Sequence, residues 1–299
     1  MGIPDNSVVY LDTSAVNYLY DNRVDPVATK FYHIKKNTRF YISSTTLWEI
    51  LMTKDSKHRD NLLLYLQQLA YPKLINSPSE FIINYIKSGY PIEEQKYDFH
   101  SKLKLQEDWE YICKDLNRKF SCDVEELNKR RNSIIEILKE FNNIKDITIF
   151  SQFDKDIITS INEKNKKSLL YFFIFLLLVL GVDFDSTPAI SLKKEIMSKN
   201  NIIRDMDYFK YICNKYHRLT EYGPFVMMSE IAFSQIGENG SIPRGMFLDA
   251  LHGINITYCD WFLTNDKHFY NIRNTIKHPS IYRIKYIPSL TVTKHSMLE

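Results

Sequence analysis

The sequence predicts an α/β protein in which the two ends of the chain form a parallel sheet and a mostly helical insertion separates them. Short apolar runs rich in β-branched residues occur near both ends, and helix-like runs follow them. These runs do not alternate strictly between apolar and polar residues, which is typical of parallel strands covered on both faces. The middle of the chain has helical spacing instead. We therefore expect a core formed by residues 1–54 and 241–299, with residues 55–240 as the insertion.

The strands follow in chain order. The first is predicted at residues 7–12, before the helix-like run SAVNYLYD, and the second at residues 39–44, before TTLWEILM. Near the end of the chain, residues 261–266 (WFLTND) and 282–287 (YRIKYI) are again strand-like. Repeated strand-then-helix units favour parallel pairing of these strands.

Two features of the middle predict helices. Ser77, Pro78 and Glu80 form a capping box with proline at the first helical position. The run LLYFFIFLLLVL at residues 169–180 is unbroken and apolar. Because a spanning helix needs about 20 apolar residues, this shorter run predicts a buried helix and no membrane insertion.

Composition restricts the class of protein only loosely. The 299 residues are 44% hydrophobic and 25% charged, as in ordinary globular proteins, and the net charge of +3 permits a nucleic-acid partner without arguing for one. The four cysteines show no CxxC spacing, so we expect reduced thiols and no zinc site. With no signal-peptide pattern at the N-terminus, the expected location is cytoplasmic.

Four acidic residues are candidates for one site: Asp12, Glu49, Asp249 and Asp266. Each lies beside an element that would deliver it to one edge of an open parallel sheet, where ligands of such sheets gather. Carboxylates brought together repel one another unless a cation is present. A set of hard oxygen ligands favours Mg²⁺ or Mn²⁺.

The motifs VVYLDTS, ISSTTLWEI, LDALHGI and FLTNDKHF, in this order, resemble the PIN-like nuclease family. The resemblance covers the two ends of the chain and not the middle. It implies an α/β/α sandwich around a parallel sheet and hydrolysis of phosphodiester bonds, usually in RNA, to a 5′-phosphate and a 3′-hydroxyl. It also implies that the four acids are catalytic and bind one or two divalent cations, which together activate a water and neutralise the leaving oxygen.

Three hydroxyl residues are expected to support the acids. Thr13 and Ser14 follow Asp12 at a predicted helix N-terminus, where hydroxyls or backbone N–H groups suit a phosphate. Thr264 lies two residues before Asp266, so both are expected on the same face of one strand.

Other polar residues near the motifs have two open interpretations. Arg244 and Lys267 either contact phosphate or are solvated surface charges. His252, one turn after Asp249, either faces the site or is a structural histidine. Asp260 opens the last core strand, away from the proposed site, and is interpreted as structural.

Each of the four acids also has a purely structural interpretation. Asp12 would be a helix N-cap, Glu49 a solvated helix residue, Asp249 a surface acid, and Asp266 the cap of the turn TNDK.

The predicted function is that of a divalent-metal-dependent nuclease. An endoribonuclease is favoured, DNA stays open as a substrate, and a role as a toxin or phage-defence effector follows by analogy alone. The alternative is a non-catalytic adaptor that keeps a PIN-like core and binds a protein partner or inhibitor through residues 55–240.

Overall fold

The computed structural model describes residues 7–22, 39–88, 104–114, 165–181, 187–236 and 245–287, together with isolated positions between 125 and 163 and at 243. The chain divides into two compact units. The first unit contains Met1–Ile75, Phe99–Asp123 and Asn255–Glu299, and the second contains Asn76–Asp98 and Val124–Ile254. The predicted division into a core of residues 1–54 and 241–299 and an insertion at residues 55–240 stays a prediction beside these two compact units.

The first unit contains a four-stranded parallel sheet, so the predicted α/β class is confirmed. Its strands are β1 (Val8–Leu11), β2 (Arg39–Tyr41), β3 (Trp261–Thr264) and β4 (Ile284–Tyr286), in the spatial order β2-β1-β3-β4. Val9, Tyr10 and Leu11 are buried on the central strand β1, as expected of a parallel sheet covered by other elements.

Helices occupy most of the remaining described chain. In chain order they are α1 (Thr13–Asp21), α2 (Ser44–Leu51), α3 (Ser56–Leu69), α4 (Pro78–Ser88), α5 (Lys104–Lys114), α6 (Lys166–Leu178), α7 (Thr187–Lys199), α8 (Asp205–Lys215), α9 (Gly223–Gln235), α10 (Met246–Ile256) and α11 (Lys267–Asn271). Short 3₁₀ helices span His217–Thr220, Ile272–Asn274 and Pro279–Arg283.

The two C-terminal strands are shorter than the sequence predicts. The last predicted strand, residues 282–287, begins only at Ile284. Pro279 starts a 3₁₀ helix that His278 caps by accepting the Ser280 N–H, and this helix continues to Arg283. Strand β3 ends at Thr264, because Asp266 already caps the helix that follows.

The capping box at the start of α4 is confirmed. Ser77 N–H donates to Glu80 Oε2 at 2.9 Å, and Glu80 N–H donates to Ser77 Oγ at 3.2 Å. Each side chain thus satisfies a backbone donor of the other, as in the reciprocal motif that the sequence predicts.

Helix α6 is the buried helix that the apolar run predicts. Ten of its residues are buried, and it packs against α4, α7 and α9 in the second unit. Asn165 caps it, and Phe173 stacks on Phe247 of α10 with ring centroids 5.8 Å apart. Among the helices of the described residues, none has the length and hydropathy needed to cross a bilayer.

Candidate functional site

The candidate site of the first unit lies at the carboxyl ends of β1 and β3. These two strands are neighbours in the sheet, with β2 on the far side of β1 and β4 on the far side of β3. The strand order therefore reverses direction between β1 and β3. In open parallel sheets, ligands bind outside the carboxyl ends of the strands at such a switch point.

Asp12 directly follows β1 and is only 6% exposed. Its Oδ1 accepts the Ala15 N–H at 2.7 Å, so Asp12 caps helix α1. The Ser14 hydroxyl donates to the same carboxylate, at 2.9 Å from Oδ1 and 3.1 Å from Oδ2. The structural interpretation of Asp12 as an N-cap is thus correct, and the cap also places the carboxylate at the switch point.

Ser14 joins the ends of β1 and β3. Besides donating to Asp12, its hydroxyl accepts the N–H groups of Asn265 at 2.8 Å and Asp266 at 3.0 Å. Its oxygen also lies 3.0 Å from Oγ1 of Thr264, which is fully buried. One hydroxyl therefore ties the Asp12 carboxylate to the turn that carries Asp266.

Glu49 reaches the same edge from helix α2. The Thr13 hydroxyl, one residue after Asp12, donates a hydrogen bond to Glu49 Oε2. Glu49 is half-buried, while the residues on either side of it are buried. The predicted supporting residues Thr13 and Ser14 thus have distinct partners: Thr13 holds Glu49, and Ser14 holds Asp12 and the Asp266 turn.

Tyr10 is a buried residue of this region that sequence reasoning missed. Its phenol oxygen lies 2.8 Å from Ser43 Oγ and 3.1 Å from Thr46 Oγ1. Burial raises the pKa of the phenol far above its ordinary value, and the carboxylates of Asp12 and Glu49 raise this pKa further. Both carboxylates therefore act electrostatically on one buried hydroxyl. In the sequence, a tyrosine within an apolar strand looks like any core aromatic residue.

Asp266 differs in detail from its predicted place. It was expected on the strand with Thr264, but β3 ends at Thr264 and Asp266 is the N-cap of α11. Its Oδ1 accepts the N–H groups of His268 at 2.7 Å and Phe269 at 3.0 Å. Thr264 Oγ1 accepts the Asp266 N–H at 3.0 Å, so the predicted link between Thr264 and Asp266 runs through the backbone.

Asp249 and His252 belong to the second compact unit. Asp249 lies in the first turn of α10, where its Oδ2 accepts a 2.8 Å hydrogen bond from Gln235 Nε2 of α9. His252 is buried on the same helix. The role of both residues in the site stays a prediction.

The remaining candidates have varied positions. Arg244 lies outside the described residues, and Lys267 is exposed at the first position of α11. Asp260 binds Val8 twice, through a side-chain and a backbone hydrogen bond of 2.8 Å each. It fixes β1 to β3 at the edge opposite the site, which is a structural role.

The side chains at the switch point offer oxygen atoms as ligands for a metal ion. Asp12, Glu49 and Asp266 supply carboxylates, and Thr13, Ser14 and Thr264 supply hydroxyls, a set that suits Mg²⁺ or Mn²⁺ better than softer metals. Within the part of the chain that the structure describes, no group of three or more His, Cys, Asp and Glu side chains is arranged closely enough to hold a metal ion. Asp12 and Asp266 each direct a carboxylate oxygen at the helix that they cap.

Fold and site together define an α/β protein with an acidic, hydroxyl-rich edge at the switch point of a parallel sheet. Comparison of the chain with protein-family models, curated proteins and solved structures found no significant match. The function is therefore inferred from the chemistry of these residues.

Proposed function

We propose that the protein is a PIN-like, divalent-metal-dependent nuclease that hydrolyses phosphodiester bonds, with RNA as the favoured substrate. The observation that carries the proposal is the position of Asp12 and Asp266 after the neighbouring strands β1 and β3, where a single hydroxyl, that of Ser14, connects them. Glu49 joins this group through Thr13. A switch point lined by carboxylates suits a cation and an anionic substrate bound together.

In this proposal the protein's own groups hold and orient the reactants. Asp12 and Glu49 hold the cation, and Asp266 becomes a further ligand once its side chain rearranges, because the described acids do not already form a group of three close enough to hold a metal ion. When bound, Mg²⁺ or Mn²⁺ supplies charge neutralisation at phosphate and a more acidic water. Thr13 and Ser14, at the start of α1, keep the Glu49 and Asp12 carboxylates in place through their hydroxyl groups.

A cleavage assay tests the proposal. Full-length protein is incubated with labelled single-stranded RNA or DNA in Mn²⁺, in Mg²⁺ and in EDTA. We expect cleavage in either metal, none in EDTA, and products with a 5′-phosphate and a 3′-hydroxyl. Asp12→Asn should abolish cleavage, whereas Asp60→Asn, which removes an equal charge at an exposed position of α3, should not. Equal cleavage by the Asp12→Asn protein would show that the cleavage does not come from the proposed site.

Thermal melting gives a readout that does not depend on turnover. A cation that binds only the folded protein raises its melting temperature by mass action. Mn²⁺ should therefore stabilise the parent protein, and stabilise Asp12→Asn much less. Equal increases in the melting temperature of the two proteins would show that Asp12 is not a ligand of the metal.

The alternative is a PIN-like core that acts as a non-catalytic adaptor. The observation that favours it is that Asp12 and Asp266 both serve as helix caps, a role that gives each acid a structural reason to be present. An adaptor would show neither metal-dependent cleavage nor a melting shift with Mn²⁺ that depends on Asp12. The same two experiments therefore distinguish the alternatives.

A further inference from the structure

The segment that follows Asp266 has an unusual charge pattern. From residue 267 to residue 287 the sequence contains no Asp or Glu, and its cationic residues are Lys267, Arg273, Lys277, Arg283 and Lys285. It also carries four aromatic residues, namely Phe269, Tyr270, Tyr282 and Tyr286. A stretch with cations and aromatic rings but no acids has the composition of surfaces that bind single-stranded nucleic acid.

Within the first unit, this segment and Trp261 of β3 together form a cation-aromatic strip, which we define as Trp261, Tyr270, Arg273, Lys285 and Tyr286. The Arg273 guanidinium carbon lies 3.8 Å from the centroid of the Tyr270 ring. The rings of Tyr270 and Tyr286 are 5.6 Å apart, and Lys285 Nζ lies 4.6 Å from the Trp261 ring. All five side chains are half-buried, so each presents part of its surface to solvent.

The strip runs around an edge of the sheet. Strand β4 has β3 as its only neighbour among the described strands. Because successive side chains of a strand point to opposite faces, Lys285 and Tyr286 lie on the two sides of β4. A strand of nucleic acid that crosses this edge would meet a cation and an aromatic ring on each side.

Within the part of the chain that the structure describes, no carboxylate neutralises the cations of the strip. Neither Arg273 nor Lys285 forms an ion pair with a carboxylate of the described residues. Burial lowers the pKa of Lys285, and the nearby charge of Arg273 lowers it further. Arg283 differs, because its Nη1 donates to the carbonyls of Thr257 at 2.8 Å and Cys259 at 3.0 Å. Arg273 and Lys285 therefore keep a charge that an external anion can satisfy, whereas Arg283 holds the turn after α10.

The strip adjoins the candidate site. Tyr286 is the register partner of Thr264, and the Thr264 hydroxyl lies 3.0 Å from that of Ser14. Asp266 immediately precedes α11, which carries Tyr270. A nucleic acid bound along the strip would therefore extend toward Asp12 and Asp266.

We infer that the cation-aromatic strip binds single-stranded nucleic acid beside the acidic switch point, with phosphates on Arg273 and Lys285 and a base stacked on Tyr286. This inference rests on the proposed nuclease function, but binding of nucleic acid to the strip can be measured without cleavage. An acidic protein would satisfy the cations equally well, yet it offers no bases to the aromatic rings. Stacking on aromatic side chains tolerates any base, so the strip predicts affinity without strong sequence preference.

Fluorescence anisotropy tests the inference with full-length protein, EDTA and a labelled single-stranded RNA oligonucleotide. Each phosphate contact contributes about 0.7 to the slope of log affinity against log salt concentration. Arg273→Ala/Lys285→Ala should weaken binding at low salt and reduce the slope by about 1.4. Tyr286→Leu should weaken binding by about 10-fold and leave the slope unchanged, because stacking carries no charge. Lys57→Ala, at an exposed lysine of α3, is the matched control and should bind as the parent does.

Three binding results would overturn the inference. The first is parental affinity and salt slope in Arg273→Ala/Lys285→Ala, with melting confirming that the variant is folded. The second is equal binding of duplex RNA, and the third is equal competition by polyglutamate of the same charge, which would assign the strip to an acidic protein. Binding through the strip without any metal-dependent cleavage would refute the proposed function and leave the inference about the strip intact. Conversely, parental cleavage by Arg273→Ala/Lys285→Ala at limiting substrate would refute the inference and leave the proposed function intact.

Discussion

The hydroxyl oxygens of Ser14 and Thr264 lie 3.0 Å apart, although 250 positions separate the two residues in the chain. Ser14 is at the start of α1 and Thr264 at the end of β3, so this contact joins the two halves of the candidate site. It also places two backbone donors of the Asp266 turn on the Ser14 oxygen. The Ser14 hydroxyl therefore connects the Asp12 carboxylate with the turn that carries Asp266.

Ser14→Ala should lower the free energy of unfolding by about 1–3 kcal/mol, because the Asn265 and Asp266 N–H groups lose an acceptor. A double-mutant cycle with Thr264→Val, measured by chemical denaturation, tests the link. Residues in one hydrogen-bond network couple by about 0.5–3 kcal/mol. Strictly additive losses would show that the two hydroxyls act independently.

Substitution of Asp266 separates its capping role from the proposed metal role. Asp266→Asn keeps a side-chain oxygen for the His268 and Phe269 N–H groups, whereas Asp266→Ala removes it at a cost of about 1 kcal/mol. For a residue that is both cap and ligand, Asn should preserve stability and abolish metal-dependent cleavage. A fully active Asp266→Asn protein would show that Asp266 serves only as a helix cap and not as a metal ligand.

Tyr10→Phe should destabilise the first unit by about 1–2 kcal/mol, because Ser43 and Thr46 lose a buried hydrogen-bond partner. Chemical denaturation of parent and variant at neutral pH measures this loss. Tyr282→Phe removes the same hydroxyl from a ring that is 70% exposed, and it should leave the free energy of unfolding unchanged.

The Tyr10 phenol also predicts a loss of stability in alkali. Its folded-state pKa is raised by burial, so above about pH 10 the unfolded chain releases a proton that the folded protein retains. Stability is therefore intact below that pH and falls by about 1.4 kcal/mol for each further unit. The free energy of unfolding should be measured by denaturation at a series of pH values from neutral into alkali. Above about pH 10, its slope against pH should correspond to one proton fewer in Tyr10→Phe than in the parent. Identical slopes would mean that the phenol ionises in the folded state.

Leu176→Asp should unfold or strongly destabilise the second unit, by about 4 kcal/mol or more, because it buries an unpaired charge in α6. Leu180→Asp is the matched control, since Leu180 lies just beyond the same helix and is 41% exposed. Its cost should stay below about 1 kcal/mol. Similar melting temperatures for the two variants would contradict the buried position of residue 176.

The sequence by itself determined the features that depend on neighbouring residues. Apolar runs without strict alternation located the strands, a reciprocal pair of polar side chains located the start of α4, and an unbroken apolar run identified α6 as buried. It also brought Asp12 and Asp266 to the carboxyl ends of parallel strands, because Asp12 directly follows β1 and Asp266 lies two residues after the end of β3. These signals are local, since caps and periodicity act within about one helical turn or one strand.

Only the tertiary structure decided which distant groups meet. It showed that Asp266 caps α11 after β3 has ended, that Ser14 contacts Thr264, and that the Tyr10 hydroxyl lies between Ser43 and Thr46. It also placed Tyr286 beside Thr264 and so brought the cation-aromatic strip next to the acids. Such contacts arise from the closure of long loops and from strand register, and neither is encoded in the few residues around each contact.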